Sequence, residues 1–172
     1  DGRLRIARAA LHFWEEPPIS GESGSGAIFF TGCPLRCVFC QNHEISQEGF
    51  GLEVTCGRLA QMMLELKAQG ANNINLVTPM HFAPHVRKAV LEAKAHGMDL
   101  PIVCNTSGYE NAEVVRAMSD VVDIWLTDFK YASHLVSGSL SAVPDYPQRA
   151  EEALREMLAA VRAAGGRSED AR

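Results

Sequence analysis

The sequence of 172 residues lacks both the long apolar run of a membrane protein and the start typical of a secreted one. No apolar stretch approaches the roughly 20 residues that a membrane-spanning helix needs. The first residues, DGRLRIARAALHFWEEPP, do not place a basic stretch before an apolar one, as a secretion signal does. We therefore expect no membrane partner and a cytoplasmic location.

A concentrated basic patch is also missing. The formal net charge is -5, and the sixteen lysines and arginines are scattered along the chain rather than grouped. A surface that holds phosphate backbones needs clustered positive charge. We therefore expect no nucleic acid partner.

Cysteines are few and unevenly placed. Three of the five lie within eight positions, and an odd total with such clustering does not suit a disulfide framework. Cys104 lies inside a predicted strand, where a lone cysteine is usually a small buried apolar residue, and Cys56 begins a predicted helix. The clustered Cys33, Cys37 and Cys40 instead indicate metal binding or redox chemistry.

The chain alternates predicted strands with predicted helices. Strands are predicted at 26–32, 73–78, 101–106 and 122–128, and helices at 55–69, 84–96, 111–119 and 148–164. Such alternation predicts parallel strands joined by crossovers, in an open sheet or a barrel. A further short helix is predicted at 4–13 and a loop at 132–147. The unusual residues follow the strand ends, where ligand sites of parallel sheets lie.

Two kinds of metal site fit the cysteine cluster. Zinc closed by four ligands could use the three thiolates and His43, although zinc sites usually combine two short ligand clusters separated by a longer stretch. An iron-sulfur cluster held by three thiolates leaves one iron without a protein ligand, and that iron can bind a small molecule. The residues alone leave both alternatives open.

The spacing CxxxCxxC, with Phe39 directly before the third cysteine, resembles the signature of the radical S-adenosylmethionine (SAM) superfamily. The stretches that carry a closer resemblance, to pyruvate formate-lyase activating enzyme-like proteins, are SGAIFFTGCPLRCVFCQNHEIS, NNINLVTPMHF, IVCNTSGYE and VDIWLTDFKY. This resemblance covers roughly residues 12–163. It implies an α/β fold, a partial (β/α) barrel with about four of an expected six parallel strands.

The same resemblance divides the chain into three parts. An N-terminal segment with a flexible loop occupies 1–25, the radical SAM core occupies 26–164, and a disordered tail occupies 165–172. Because the family continues into two further strand-helix units, the core is expected to be incomplete.

The resemblance implies a radical SAM enzyme, an oxidoreductase. A 4Fe-4S cluster is expected on Cys33, Cys37 and Cys40, with SAM chelating the fourth iron through its amino and carboxylate groups. One electron cleaves SAM to methionine and a 5'-deoxyadenosyl radical, which abstracts a hydrogen from the substrate. The implied partners are SAM, an electron donor such as flavodoxin or ferredoxin, and a glycyl radical enzyme. A small-molecule or other protein substrate is an alternative, and a non-catalytic metal module, zinc-stabilised or electron-carrying, is the competing class.

Residues after the first two predicted strands are assigned to the SAM site by the same resemblance. Phe39 is expected against the adenine. The stretch TPMH, 78–81, stands where activating enzymes have a Gly-Gly-Glu-Pro-like stretch whose backbone meets the SAM amino group. Pro79 and His81 are therefore candidate contacts, although the glutamate of that stretch is absent here.

Residues after the last two predicted strands complete the expected site. Asn105 stands at the aspartate position of an Asp-Thr-Asn-Gly segment, and Asp128 and Lys130 match an Asp-Leu-Lys segment. Lys130 is a point charge suited to a carboxylate such as that of SAM. A solvated salt bridge between Asp128 and Lys130 is the alternative interpretation.

Overall fold

The computed structural model describes residues 2–14 and 16–165. Within these residues, the strands are β1 (Arg5–His12), β2 (Ser25–Phe30), β3 (Leu52–Glu53), β4 (Ile74–Val77), β5 (Ile102–Thr106) and β6 (Ile124–Thr127). The helices are α1 (Pro17–Ser20), α2 (His43–Ser46), α3 (Cys56–Ala68), α4 (Ala83–Ala95), α5 (Ala112–Met118), α6 (His134–Ser141) and α7 (Tyr146–Ala163), with a 3-10 turn at Met80–Phe82. The tail predicted at 165–172 lies, apart from Gly165, outside the described residues.

The strands form one mixed sheet in the order β3-β1-β2-β4-β5-β6. Strands β2, β4, β5 and β6 are parallel neighbours, whereas β1 runs antiparallel to both β2 and β3. The crossovers between the parallel strands carry α3, α4 and α5. The predicted partial (β/α) barrel with four parallel strands is confirmed, and the antiparallel strands β1 and β3 extend it at one side.

The crossover helices follow the predicted pattern because their apolar faces repeat at helical spacing. In α3 the buried residues are Leu59, Ala60, Met63 and Leu66, and the helix begins where the Thr55 hydroxyl accepts a hydrogen bond from the Arg58 N–H at 3.1 Å. These faces and those of α4 and α5 pack with Ile28, Ile74 and Ile102 of the strands in one continuous core. Among the described helices, none combines the length and the apolar character needed to cross a membrane.

The helix predicted at 4–13 is wrong, because this segment is strand β1. Its alanines, arginines and leucines favour a helix when considered alone. In the folded chain, however, residues from Ile6 to His12 pair with β2 from Phe30 back to Ser25. Long-range backbone pairing along β2 therefore overrides the local preference.

The loop predicted at 132–147 is wrong in part, because it contains α6. The serines and the glycine of His134–Ser141 give no clear apolar period, so the sequence pattern does not indicate a helix. The helix begins at Ser133, whose hydroxyl accepts a hydrogen bond from the Val136 N–H at 3.5 Å, and Ala142 ends it in a left-handed conformation with φ of 59°. Helix α7 likewise begins at Tyr146, before the predicted start at 148.

A second, smaller core lies under the loop that follows β2. Its buried residues are Leu35, Cys37, Tyr131, Val143, Tyr146 and Ala150. At its centre the fully buried Tyr146 hydroxyl accepts from the Lys130 N–H at 2.8 Å and donates to the Ser107 carbonyl at 2.7 Å. Tyr146 therefore connects the segments that leave the carboxyl ends of β5 and β6.

We expect Tyr146→Phe to destabilise the chain by about 1–3 kcal/mol, because it leaves the buried Ser107 carbonyl and the partly buried Lys130 N–H without their shared partner. Unfolding in urea, followed by circular dichroism, measures this change. Tyr109→Phe is the matched control, since the Tyr109 hydroxyl donates to Asp145 at 2.8 Å in an exposed position. The control should change the free energy of unfolding by less than about 0.5 kcal/mol. Equal effects of the two substitutions would contradict the role of Tyr146 as a buried connector.

Candidate functional site

The three clustered cysteines lie on the loop beyond the carboxyl end of β2. All three are free thiols; Cys37 is buried, and Cys33 and Cys40 are partly buried. They line one cavity of about 400 Å³, the cysteine cavity, together with residues from the ends of β4, β5 and β6. This volume falls within the range of about 300–1,000 Å³ that small-molecule sites occupy. The parallel strands therefore bring the thiols and the polar strand ends together.

Each thiol has a hydrogen-bonding neighbour. Ser141 Oγ donates to Cys37 Sγ at 2.9 Å, and the Ser46 hydroxyl lies 3.2 Å from Cys40 Sγ. Burial raises the pKa of Cys33, a backbone hydrogen bond with Leu35 opposes that effect, and the neighbouring cysteines raise the pKa further. A bound metal cation stabilises thiolates, so cysteines that ligate a metal are deprotonated.

The cysteine loop, residues 32–42, has no regular secondary structure, and other elements hold its backbone. The Arg36 N–H donates to the Ser141 carbonyl at 3.0 Å, and the Val38 N–H donates to the Leu140 carbonyl at 2.9 Å. Gly32 begins the loop with φ of 92°, in the left-handed region that favours glycine. Helix α6, in the segment predicted as a loop, therefore fixes the middle of the cysteine loop.

The chemistry of these donors fits an iron-sulfur cluster, since three cysteine thiols line one cavity. Among residues 2–14 and 16–165, no three cysteine, histidine or acidic side chains converge closely enough to hold one metal ion. A four-iron cluster takes one thiolate per iron, so its ligands surround it instead of meeting at a point. His43, the fourth ligand of the zinc alternative, is exposed outside the cavity lining, and its Nδ1 lies 3.1 Å from Glu48 Oε1.

Four other predicted site residues also line the cysteine cavity. They are Phe39, Asn105, Asp128 and Lys130. Phe39 is 55% exposed at the rim, although an apolar ring usually packs in the interior. An exposed ring beside the thiols is free to stack on a planar ligand.

Asp128 and Lys130 form the ion pair that the sequence leaves as an alternative. Burial lowers the pKa of Lys130, but Asp128 and the nearby Cys37 thiol outweigh that effect and raise it overall. The ammonium group therefore stays positively charged beside the thiols. Gly108 allows this approach of strand ends, because with φ of 79° it packs directly on the Asp128 carbonyl, where a side chain would clash.

Two predicted site residues, Pro79 and His81, lie outside the lining of the cysteine cavity. Pro79 is buried at the start of the 3-10 turn. His81 lines a separate cavity of about 1090 Å³, the outer cavity, which Arg87, Glu110 and Met118 also line. Its Nε2 lies 2.9 Å from the Thr31 carbonyl, so Nε2 carries the hydrogen and donates it. Burial lowers the pKa of His81 more than this hydrogen bond raises it, so the ring favours its neutral form.

Thr78 lines both cavities and has a strained backbone. Its φ is 57°, a left-handed conformation that is unfavourable for a β-branched residue. The Thr78 N–H donates to the Asn105 carbonyl at 2.8 Å and so continues the β4–β5 ladder into the bend. The activating enzymes that this sequence resembles have a glycine-rich stretch at this place. Glycine adopts the left-handed conformation without strain, so such a stretch is the sequence signal of a bend here. Strain of this kind concentrates at ligand sites.

Glu110 is a buried carboxyl that the sequence pattern does not single out. It lines the outer cavity and accepts a hydrogen bond from the Thr106 hydroxyl, while Thr106 lines the cysteine cavity. Burial raises the pKa of Glu110 to about 7, with Thr106 opposing the shift. Its charge also raises the pKa of Cys33. A single glutamate before a helix start gives no sequence signal of burial.

The comparisons with known proteins agree with this geometry. The model of the radical SAM superfamily matches residues 27–167. The Uncharacterized protein MJ0674 of Methanocaldococcus jannaschii is 31% identical over 142 residues, which cover 79% of this chain and 41% of that protein. The chain thus spans about two fifths of the length of this curated relative. Because the family model covers well over half of the chain, the chain belongs to the radical SAM superfamily.

The raised pKa of Glu110 predicts a pH-dependent stability. Between its ordinary value of 4.5 and about 7, the folded chain keeps a proton that the unfolded chain releases. The free energy of unfolding therefore falls as the pH rises through this window, by about 3 kcal/mol in total. Glu110→Gln should remove this contribution. The free energy of unfolding of wild type minus that of the variant should therefore decrease from pH 4.5 to pH 7. Urea unfolding at several pH values measures the difference.

A matched control is Glu113→Gln, which changes an exposed carboxyl at the same cavity. It should leave the pH dependence of wild type as it is. If the curves of wild type and Glu110→Gln run parallel across the window, the pKa of Glu110 is not raised in the folded chain.

Proposed function

We propose that this chain carries the cluster- and SAM-binding part of a radical SAM enzyme that generates a 5'-deoxyadenosyl radical for hydrogen abstraction. One observation carries the proposal. The three cysteines of the CxxxCxxC stretch line a single cavity with Asn105 and Lys130, in a chain that belongs to the radical SAM superfamily. The thiols would hold the cluster, and the polar strand ends would hold SAM.

When bound and reduced, the 4Fe-4S cluster supplies the electron that splits SAM into methionine and the 5'-deoxyadenosyl radical. The chain's own part is binding, orientation and exclusion of water. Cys33, Cys37 and Cys40 offer three thiolates, so one iron position has no ligand from this set and is open to SAM. Leu35 and Phe30 line the cavity as buried apolar side chains, which disfavour water there.

The residues around the cysteine cavity suggest how SAM would be oriented. Lys130, kept charged by Asp128, would bind the SAM carboxylate, and the exposed ring of Phe39 would cover the adenine. Asn105 offers an amide at the end of β5. For the SAM amino group, Thr78 is a better candidate than Pro79 or His81, because it lines the cysteine cavity and its strained bend turns the end of β4 there.

The finer activity follows the pyruvate formate-lyase activating enzyme-like resemblance. In this form of the proposal the substrate is a glycyl radical enzyme, and the electron donor is a protein such as flavodoxin or ferredoxin. A small-molecule or other protein substrate is the alternative. The exposed position of His43, paired with Glu48, gives the competing zinc module less support than the radical SAM enzyme.

Anaerobic reconstitution with iron and sulfide tests the proposal. We expect a brown protein with about four irons per chain that releases methionine and 5'-deoxyadenosine from SAM after reduction. Cys37→Ala should lose cluster binding, because it removes one of three thiolates, whereas the circular dichroism of its folded sheet should persist. Iron and sulfide analysis with visible absorption measures the cluster.

Cys56→Ala is the matched control, since Cys56 lies outside the cysteine cavity at the start of α3. It should keep the iron content of wild type. A colourless wild-type protein with one zinc per chain, or full iron content in Cys37→Ala, would refute the proposal.

Lys130→Met tests the orientation of SAM. Loss of a charge-assisted hydrogen bond of about 1.5–3 kcal/mol should weaken SAM binding to the reconstituted chain at least tenfold, with unchanged iron content. Isothermal titration calorimetry measures the dissociation constant. Lys88→Met, an exposed lysine of α4, is the control and should bind SAM as wild type does. Equal affinities in the two variants would remove Lys130 from the SAM site.

A further inference from the structure

A buried hydrogen-bonded chain leads from Tyr131 through Ser141 to Cys37. The Tyr131 hydroxyl lies 2.6 Å from Ser141 Oγ, and Ser141 Oγ donates to Cys37 Sγ at 2.9 Å. Ser141 is fully buried, and Tyr131 and Cys37 are each less than a tenth exposed. This chain of hydrogen bonds therefore lies away from water on the side of Cys37 that faces the small core.

The direction of these hydrogen bonds follows from the chemistry of the three groups. A metal-bound thiolate has no hydrogen and only accepts, so Ser141 must give it the single hydrogen of its hydroxyl. With that hydrogen used, Ser141 Oγ can only accept from Tyr131. The sequence of donation is thus Tyr131 to Ser141 to Cys37, and each hydrogen bond polarises and strengthens the next.

Packing holds Ser141 in this position. Its carbonyl accepts the Arg36 N–H of the cysteine loop at 3.0 Å, so the serine is tied to the loop through both its backbone and its side chain. The ring of Tyr131 packs edge-on against Tyr146, with centroids 5.2 Å apart. The backbone contact therefore fixes Ser141 beside the loop, and the hydrogen bond with the Tyr131 hydroxyl orients the Ser141 hydroxyl toward Cys37.

The other two thiols have different environments. Cys40 has the Ser46 hydroxyl at 3.2 Å, but Ser46 is only partly buried, so water competes for the same sulfur. Cys33 has the backbone hydrogen bond with Leu35. A hydrogen bond is electrostatically stronger where water is excluded. The buried hydroxyl at Cys37 should therefore have a larger effect than the partly exposed one at Cys40.

We infer that Ser141, positioned by Tyr131, raises the reduction potential of the cluster through its hydrogen bond to Cys37. Hydrogen bonds to the cysteine sulfurs are among the factors that set the potentials of iron-sulfur clusters. Reduction by dithionite adds one electron and moves no proton, so Ser141 keeps its hydrogen throughout. The added negative charge strengthens the hydrogen bond and so favours the reduced form. Ser141 and Tyr131 are positioning residues, and the inference rests on the proposed function because it requires the cluster.

The test is a redox titration of the reconstituted chain with dithionite, followed by electron paramagnetic resonance of the reduced cluster. In Ser141→Ala, the ratio of reduced to oxidised cluster at a fixed potential should fall about tenfold, equal to about 59 mV for a one-electron couple. Tyr131→Phe keeps the ring and removes the first donor, and its ratio should fall about threefold. Iron content should match that of wild type in both variants.

Ser137→Ala is the matched control. Ser137 is as fully buried as Ser141 and lies in the same helix, but its hydroxyl donates to the His134 carbonyl at 3.2 Å and not to a thiol. Its potential should equal that of wild type. A general loosening of α6 would shift this control together with Ser141→Ala, which would overturn the inference.

The remaining outcomes separate this inference from the proposed function. A wild-type chain without a cluster refutes both. Full iron content together with an unchanged potential in Ser141→Ala refutes the role of Ser141 and leaves the proposed function intact. If Ser141→Ala does not hold the cluster, Tyr131→Phe decides: a lower potential than that of Ser137→Ala supports the inference, and an equal potential overturns it.

Discussion

The cysteine loop keeps its shape because two of its N–H groups donate to carbonyls at the end of α6. The last carbonyls of any helix have no partner within the helix, and an irregular loop has N–H groups without a ladder to join. The hydrogen bonds of Arg36 and Val38 to the Ser141 and Leu140 carbonyls satisfy both needs. They also hold the Ser141 hydroxyl beside Cys37. The contact between α6 and the cysteine loop therefore determines the conformation of the loop, the position of the Cys37 thiol and the environment of that thiol.

The fold could be predicted from the sequence where local pattern and long-range packing agree. The four parallel strands are short apolar runs, and the crossover helices repeat their apolar residues at helical spacing, as in α3 with its Thr55 cap. The two wrong predictions, at β1 and α6, concern segments whose structure depends on distant parts of the chain. Strand β1 has helix-forming residues that pair with β2, and α6 is a serine-rich helix whose burial depends on the loop it supports. The sequence pattern of a single segment cannot show either of these long-range contacts.

Part of the candidate site could be predicted, because it follows from the spacing of the cysteines and from the positions of the strand ends. The three cysteines, Asn105 and Lys130 share a cavity because parallel strands end at one edge of the sheet. Pro79 and His81 are candidates because of their position after β4, but they follow the strained turn at Thr78 and lie outside the lining of the cysteine cavity. Ser141 and Tyr131 could not be found in advance, because they act through a segment about a hundred residues beyond Cys37.

The buried carboxyl between the two cavities has a consequence for any measurement made near neutrality. With its pKa raised to about 7 by burial, Glu110 exchanges its proton within the pH range of ordinary buffers. A preparation of this chain is then a mixture of two electrostatic forms that differ beside Cys33. Spectra, affinities and potentials recorded at different pH values are therefore comparable only where Glu110 has the same charge.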